Sequence, residues 1–265
     1  MGIKLSDIVR EKPMGSDLGY LMDQFYLEEA SKESRRSDGC IHPSMLASTC
    51  LKEHYYYLSN QLTIDQSHNM LLLESARYHH LRIQKHWHRM GILFGNWHCY
   101  FCGQDFEALA PDYCNFCGQE WNLEDEFFHP YREVPLRSKK LNMTGSADGI
   151  LILGEKKYLG EIKSANTFVF SKITGIQLAH DIQIQAYMHM ARLSEAWVLY
   201  VERGNAAYKR PYLIKKNPEV VETIEKSCVI INNALKTGIP PAFSYDPKLE
   251  YCTKRCKAVD LCKAE

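Results

Sequence analysis

The chain has 265 residues, of which 45% are hydrophobic and 24% are charged. That composition belongs to a globular protein large enough to bury a core without disulfides, and it excludes a mostly disordered or fibrous chain. Lysine plus arginine and aspartate plus glutamate each number 32, so the net charge is zero and any basic surface for nucleic acid must be local.

No apolar run reaches the roughly 20 residues that span a bilayer, and the N-terminus lacks an apolar signal region. The expectation is a protein of the cytoplasm, or a viral protein acting in the host cytoplasm, with no membrane partner. Residues 1–40 are polar and mixed, with helical potential from Leu18 to Ala30. The opening Met1 to Ser6 matches a myristoylation pattern, which we read as chance. Pro43 to Ser59 reads as a helix; Cys50 ends its first stretch and Tyr55 to Tyr57 follow. Asn69 to Met90 reads as a longer helix with apolar positions at Leu72, Leu73, Leu81, Ile83 and Trp87. Its histidines His79, His86 and His88 read as a polar face.

A doubled CxxC follows: Cys99-Tyr-Phe-Cys102-Gly and Cys114-Asn-Phe-Cys117-Gly. Each can fold into a knuckle, and the glycine after its second cysteine frees the backbone to turn with positive φ. Two knuckles offer four thiolates, which suits tetrahedral Zn²⁺. A redox dithiol pair explains a doubled knuckle poorly; an iron–sulfur centre is the other rival. The module, about Trp97 to Trp121, reads as an insertion, with helical periodicity before it and strand patterning after it.

Phe128 to Leu136, Leu141 to Leu153 and Lys157 to Lys163 read as strands. Asp181 to Arg192 reads as a helix, Glu195 to Glu202 and Tyr208 to Ile214 as strands, and Asn217 to Thr237 as an amphipathic helix stopped at Gly238. The class is mixed α/β. Four regions are expected: residues 1–95 as an N-terminal helical region, 96–122 as a zinc-ribbon-like insertion, 123–240 as the core, and 241–265 as a cysteine segment packing back on the N-terminal helices. Gly149 to Lys156 lacks the ending of a phosphate loop, so an ATP-driven motor is excluded.

The C-terminal segment carries Cys252, Cys256 and Cys262. Three thiolates are one short of a closed site. Cys50 and Cys40 are candidates for the fourth, with Cys228 the weaker choice. Such a set would clip the two ends of the chain together around zinc or a 4Fe-4S cluster, and spacing alone leaves the metal open.

The stretch Gly145-Ser-Ala-Asp148, then Glu161-Ile162-Lys163, carries the chemistry. With Glu155-Lys156 at the tip of a hairpin, Ile150 pairs with Glu161 and Asp148 with Lys163. Asp148, Ile150, Glu161 and Lys163 then share one face, with the carboxylates as diagonal neighbours. Ile162 points to the other face while its carbonyl lies beside the site. Two carboxylates and a carbonyl suit Mg²⁺ or Mn²⁺ with positions open for water and phosphate. A nearby lysine can hold a water or offset transition-state charge.

Gly145-x2-Asp148 followed by Glu161-Ile-Lys163 resembles the GxxD and (D/E)xK motifs of the PD-(D/E)XK nuclease superfamily. Gln183-Ile-Gln-Ala-Tyr187 resembles the QxxxY motif of its RecB-like branch. Cys50 with Cys252, Cys256 and Cys262 is similar to the four-cysteine iron–sulfur clip of the CRISPR-associated and helicase-linked exonucleases in that branch. The resemblance covers about Pro43 to Cys262. It implies a restriction-endonuclease-like core and a metal-dependent DNA exonuclease, acting on single-stranded ends with 5′→3′ polarity, in recombination, repair or viral DNA processing. It also implies that Asp148, Glu161, the Ile162 carbonyl and His80 hold the metal, that Lys163 serves the attacking water, and that Gln183 and Tyr187 position the strand or Lys163. The family's histidine follows a Gly-x3 spacer; here Ala76 takes the glycine position, so His79 rivals His80. Glu133 sits where some members carry an auxiliary acid.

Candidate phosphate contacts are Arg132, Arg137, Lys139, Lys140, Arg203, Lys209 and Arg210. Tyr55 to Tyr57, Phe168 and Phe170 are candidate stacking residues. The knuckle module has no basic residue between Cys99 and Cys117, which argues against a phosphate grip there; Tyr100, Phe101 and Phe116 suit a stacking wedge or a docking surface. A helicase or recombination protein is a candidate partner. The alternative is a non-catalytic zinc and iron–sulfur scaffold for a recombination or replication complex, which leaves Asp148, Glu161 and Lys163 without a task.

Overall fold

Apolar alternation and long amphipathic runs build a mixed sheet with helices on both faces. The computed structural model describes residues 38–46, 50–62, 70–122, 129–204, 208, 211–242 and 250–264, with isolated positions Leu21, Gln24, Phe25 and Glu28. Of the expected helix at 18–30 only Leu21, Gln24, Phe25 and Glu28 are described, and they are helical; the myristoylation pattern, Lys209 and Arg210 lie outside the described residues.

In chain order the elements are α1 (Leu51–Leu58), α2 (Met70–Arg89), β1 (Leu93–His98), β2 (Asp105–Leu109), β3 (Tyr131–Arg132), β4 (Val134–Ser138), β5 (Met143–Ala147), β6 (Gly149–Leu153) and β7 (Lys156–Ala165). Then come α3 (Thr167–Lys172), α4 (Leu178–Ala191), β8 (Glu195–Glu202), β9 (Tyr212–Lys215), α5 (Pro218–Thr237), a π-helical turn (Tyr251–Arg255) and α6 (Val259–Ala264). Asn217 caps α5 by accepting the Glu219 N–H, and Gly238 closes it in the left-handed conformation. A polar cap before proline and a glycine stop are the signals that made this helix readable.

The main sheet runs β2-β1-β6-β7-β8-β9, with β3 also paired to β1. β7 and β8 are parallel, joined by a crossover carrying α3 and α4, while the β6–β7 and β8–β9 pairs are antiparallel. One face packs Ile150, Leu159, Ala196 and Val198 against Ile184, Tyr187 and Met188 of α4. The other packs Leu151, Ile162 and Leu199 against Trp87 of α2. β4 and β5 form a separate hairpin, and behind it Leu141 and Met143 join α5 through Ile224, Cys228 and Ile231. No described helix is long and apolar enough to cross a membrane.

The sequence reading is corrected in several places. Cys50 does not end a helix; it is the N-cap residue of α1, in extended conformation. Strand structure begins before the knuckles: β1 already pairs with β6, so the cysteine module grows out of the main sheet. The β6–β7 turn is Gly154-Glu155, with Leu153 opposite Lys156 and Ile150 opposite Leu159. Glycine at the first turn position with φ +63° follows the II′ pattern that suits strand twist. The register thus differs from the expected one by two residues, and an even shift preserves which side chains share a face. At the other end of the sheet, Tyr208 only bridges Val201, and β9 starts at Tyr212.

Candidate metal and nuclease site

The strand shift brings Asp148 opposite Glu161 instead of diagonal to it. Asp148 sits in the bend between β5 and β6, where the chain passes from the small hairpin to the main sheet. Its Oδ2 accepts the Ile162 N–H at 2.6 Å. Its Oδ1 stands 2.8 Å from His80 Nδ1, and its carbonyl accepts Gln84 Nε2–H at 2.9 Å. His80 and Gln84 are four apart on α2 and so project from one face. Of the two rival histidines it is His80 that meets the carboxylates; His79 is buried on the side of Arg203, and its imidazole is pushed down by burial despite a backbone hydrogen bond at Arg203.

Glu161 lies on the central strand and is buried. Lys163 Nζ donates to Glu161 Oε1 and to Gln183 Oε1, each at 2.7 Å. Gln183 Nε2 donates to the Tyr187 hydroxyl at 3.1 Å. Glu161 Oε2 is buried and has no hydrogen-bond partner. Burial lifts the Glu161 carboxyl to about 7, with Lys163 opposing and Asp148 adding to the rise. For Lys163, burial alone would favour the neutral amine, but the Glu161 carboxylate outweighs it and the pKa is raised. Burial would also depress His80; the hydrogen bond and charge of Asp148, with Glu161 and Glu133, turn the net shift upward.

His80, Glu133 and Asp148 bring ligand atoms within 4.8 Å of one another. Glu133 thus belongs to the acidic site. Glu161 is outside that tight triad but lines the same cleft, of about 810 Å³, with Asp148, Lys163, Gln183 and Tyr187. Ala76 also lines it. Gln84 was missed by sequence reasoning, although its i+4 spacing from His80 was a usable signal. His180, three residues before Gln183 on α4, has its Nδ1 2.9 Å from the Tyr200 hydroxyl.

The four knuckle sulfurs also converge. Cys99 and Cys117 Sγ are 3.7 Å apart, as are Cys102 and Cys114, and all four lie within 4.8 Å of one another. A tetrahedron with metal–sulfur bonds of about 2.3 Å has edges of about 3.8 Å, so this group can bind a metal such as zinc. Gly103 and Gly118 have φ +73° and +71° and donate to the Cys99 and Cys114 carbonyls at 2.7 and 2.9 Å. Amides of Cys102 and Phe101 hold the Cys99 thiol down to about 7. At Cys102 the Gln104 amide lowers the pKa, but burial and the neighbouring sulfurs prevail and push it up to about 12.

The C-terminal cysteines pack against α1 but do not form so tight a group among the described residues. Lys257 N–H donates to Glu53 Oε1 at 2.9 Å, and the Tyr251 hydroxyl bonds the other oxygen. Burial raises the Cys50 thiol, with Cys252 adding to it. Cys256 is raised to about 12 by burial, then by Glu53, Cys50 and Cys252. Cys228 is a core thiol, raised to about 12 by burial, and Cys40 lies on the segment before α1.

Other expected contacts are redistributed. Tyr55 to Tyr57 are buried, so they do not stack bases. Phe168 is exposed, with Lys172 Nζ 3.6 Å from its ring centroid; Phe170 packs on the core. His79 and His88 are buried, not solvated: His88 Nε2 reaches the Pro111 carbonyl at 2.8 Å. Tyr100, Phe101 and Phe116 are exposed.

No protein-family model matches the chain, and no curated protein matches it. Among solved structures it is similar to the crystal structure of SSO0001, with 14% identity and a TM-score of 0.48, covering 93% of this chain and 96% of that one. A likeness at that level carries no argument about chemistry.

Proposed function

We propose that the chain is a Mg²⁺- or Mn²⁺-dependent deoxyribonuclease of the PD-(D/E)XK type that shortens DNA from single-stranded ends. The observation that carries the reading is the buried Asp148–Glu161–Lys163 group with Glu161 Oε2 left without a donor. A buried carboxylate oxygen without a partner is costly, and a divalent cation between hard oxygen ligands relieves that cost. Asp148, Glu161, the Ile162 carbonyl and His80 would hold the ion, with Glu133 beside them. When bound, it supplies Lewis-acid activation of water and neutralises charge on the scissile phosphate.

The protein's own residues do the positioning. Lys163, kept cationic by Glu161, faces the cleft and would hold the attacking water or the negative charge that grows on phosphate. Gln183 fixes Lys163 from α4, and Tyr187 fixes Gln183. The Ile162 N–H and Gln84 hold Asp148 from two sides. The acidic cysteine module has Asp105, Glu107, Asp112 and Glu120 and no lysine or arginine between Cys99 and Trp121. It is a zinc-held element without a phosphate grip. Cys50, Cys252, Cys256 and Cys262 would hold a 4Fe-4S cluster; such a cluster is bulkier than a single ion, which suits sulfurs not drawn into one tight tetrahedron.

Hydrolysis of the p-nitrophenyl ester of thymidine 5′-monophosphate with added Mn²⁺ tests the site without asking for DNA binding. Turnover abolished by Asp148→Asn supports the reading; no turnover in the wild type, or equal turnover in the variant, sinks it and favours the non-catalytic scaffold.

A further inference from the structure

A second cleft lies at the far end of the β4–β5 hairpin. It encloses about 670 Å³, and its lining includes Arg137, Lys139, Lys140, His189, Arg192 and Lys216. These residues arrive from the end of β4, the turn after it, the C-terminal end of α4, and the segment after β9. Among the described residues the only carboxylate pairing here is Glu225, 3.8 Å from Lys140 Nζ and 3.4 Å from His189 Nε2. No described carboxylate pairs with Arg137, Lys139, Arg192 or Lys216. The concentration of charge is felt by His189, whose imidazole is depressed first by burial, then by Lys216, with Glu225 opposing and Lys140 adding.

An independent feature marks the same place. Arg192 closes α4 with φ +57° and ψ +36°, in the left-handed region where glycine is the unstrained choice. Non-glycine residues in that region are uncommon and collect at functional sites. The strain gives the fold nothing that glycine would not; it does place a guanidinium at the cleft.

The two clefts are joined by one strand face. Val134 and Leu136 turn inward along β4, while Pro135 and Arg137 are exposed, as is Glu133 just before the strand. Glu133 stands with His80 and Asp148, Pro135 lines the carboxylate cleft, and Arg137 lines the basic one. From Glu133 to Arg137 is about 13 Å at about 3.3 Å per residue. That is roughly four stacked nucleotides at about 3.4 Å each.

We propose that this basic cleft is a phosphate-anchoring subsite, which grips the backbone of a single DNA strand a few nucleotides from the carboxylates. It deepens the nuclease reading and rests on it for its substrate, but binding can be measured without cleavage. The strand would run along the outer face of β4, with backbone phosphates on Arg137, Lys139, Arg192 and Lys216, and its reacting end beside Asp148 and Glu161.

The test is fluorescence anisotropy of a labelled twelve-residue oligothymidylate in EDTA, over a series of KCl concentrations. The wild type is compared with an Arg192→Gly, Lys139→Ala variant. The variant is expected to bind about tenfold more weakly for each lost contact, and its log K against log salt slope is expected to be shallower by about 1.4, at about 0.7 per single-strand phosphate contact. Melting of Arg192→Gly alone checks folding, and a Tm equal to or above wild type is expected, because the strain is removed. Unchanged affinity and slope overturn the subsite even if the protein cleaves DNA. A shallower slope in a protein that cleaves nothing leaves the subsite standing and removes the nuclease reading. Equal losses for the oligonucleotide and for thymidine monophosphate indicate a mononucleotide pocket and overturn the strand anchor. Loss confined to phosphatidylglycerol vesicles overturns it in favour of a lipid surface.

Discussion

Gly145 on β5 and Tyr187 on α4 are in such close approach that a Cβ added at Gly145 would stand 2.8 Å from Tyr187 Cε1. Gly145 and Tyr187 therefore belong to one contact. Packing of α4 onto the hairpin, and with it the reach of Gln183 to Lys163, depends on the missing side chain. Gly145→Ala is predicted to destabilise by about 1–3 kcal/mol, the usual cost of overpacking, and to lower turnover by misplacing Gln183. Urea unfolding and a rate assay on the same preparation check it. Equal stability with full activity would show that the ring simply moves aside.

Lys163 and Gln183 are predicted to contribute unequally. Lys163→Met removes the charge that stabilises ionised Glu161, so the Glu161 carboxyl should rise further above about 7. Turnover should fall at least about 100-fold at neutral pH, as for loss of a preorganised electrostatic group. Gln183→Ala leaves the Glu161–Lys163 pair intact and should cost about tenfold, the loss of one hydrogen bond to a charged group. Rate–pH profiles distinguish the two: the acid limb should move to higher pH in Lys163→Met and stay in place in Gln183→Ala.

Zinc analysis of the purified protein should give one ion per chain at the knuckles. Cys102→Ser with Cys117→Ser should abolish it and expose Trp121, which stacks on Trp97 at 5.6 Å between ring centroids. A red shift of tryptophan emission reads that exposure. Retained zinc in the double variant would place the ion elsewhere.

His129 gives the fold a pH dependence of defined sign. It is buried against Trp97, Tyr131 and His88, neither ring nitrogen has a hydrogen-bond partner, and burial depresses its pKa from 6.5 to about 3. Below pH 6.5 the unfolded chain binds the proton and the folded one does not, so stability is full above that pH and is lost as pH falls towards 3. Between pH 7 and pH 5 the loss from this residue should be about 2 kcal/mol. Comparing wild type with His129→Phe by denaturant unfolding at both pH values isolates it; equal losses in the two proteins would contradict the account.

The sequence made the parity of the β6–β7 hairpin readable, because Ile150, Leu159 and Ile162 alternate regardless of where the turn falls. It did not make the turn itself readable: Gly154-Glu-Lys-Lys allows tips one residue apart, Gly154-Glu155 or Glu155-Lys156, whose registers differ by two residues. The ends of α5 were legible from Asn217, Pro218 and Gly238 because capping is local chemistry. The burial of Tyr55 to Tyr57 was not, since it depends on α5 and the C-terminal segment, more than 170 residues away. Which of His79 and His80 faces Asp148 was not legible in the sequence; it depends on how α2 packs against the β5–β6 bend. Arg192 is another case: nothing local announces an arginine in a left-handed cap.

The most direct measurement is degradation of end-labelled single-stranded DNA by the wild type and by an Asp148→Ala, Glu161→Ala double variant, each with EDTA or added Mn²⁺. Shortening is expected from the wild type only with Mn²⁺, and none from the variant under either condition. Equal degradation by both proteins, or degradation by the wild type in EDTA, would contradict that expectation.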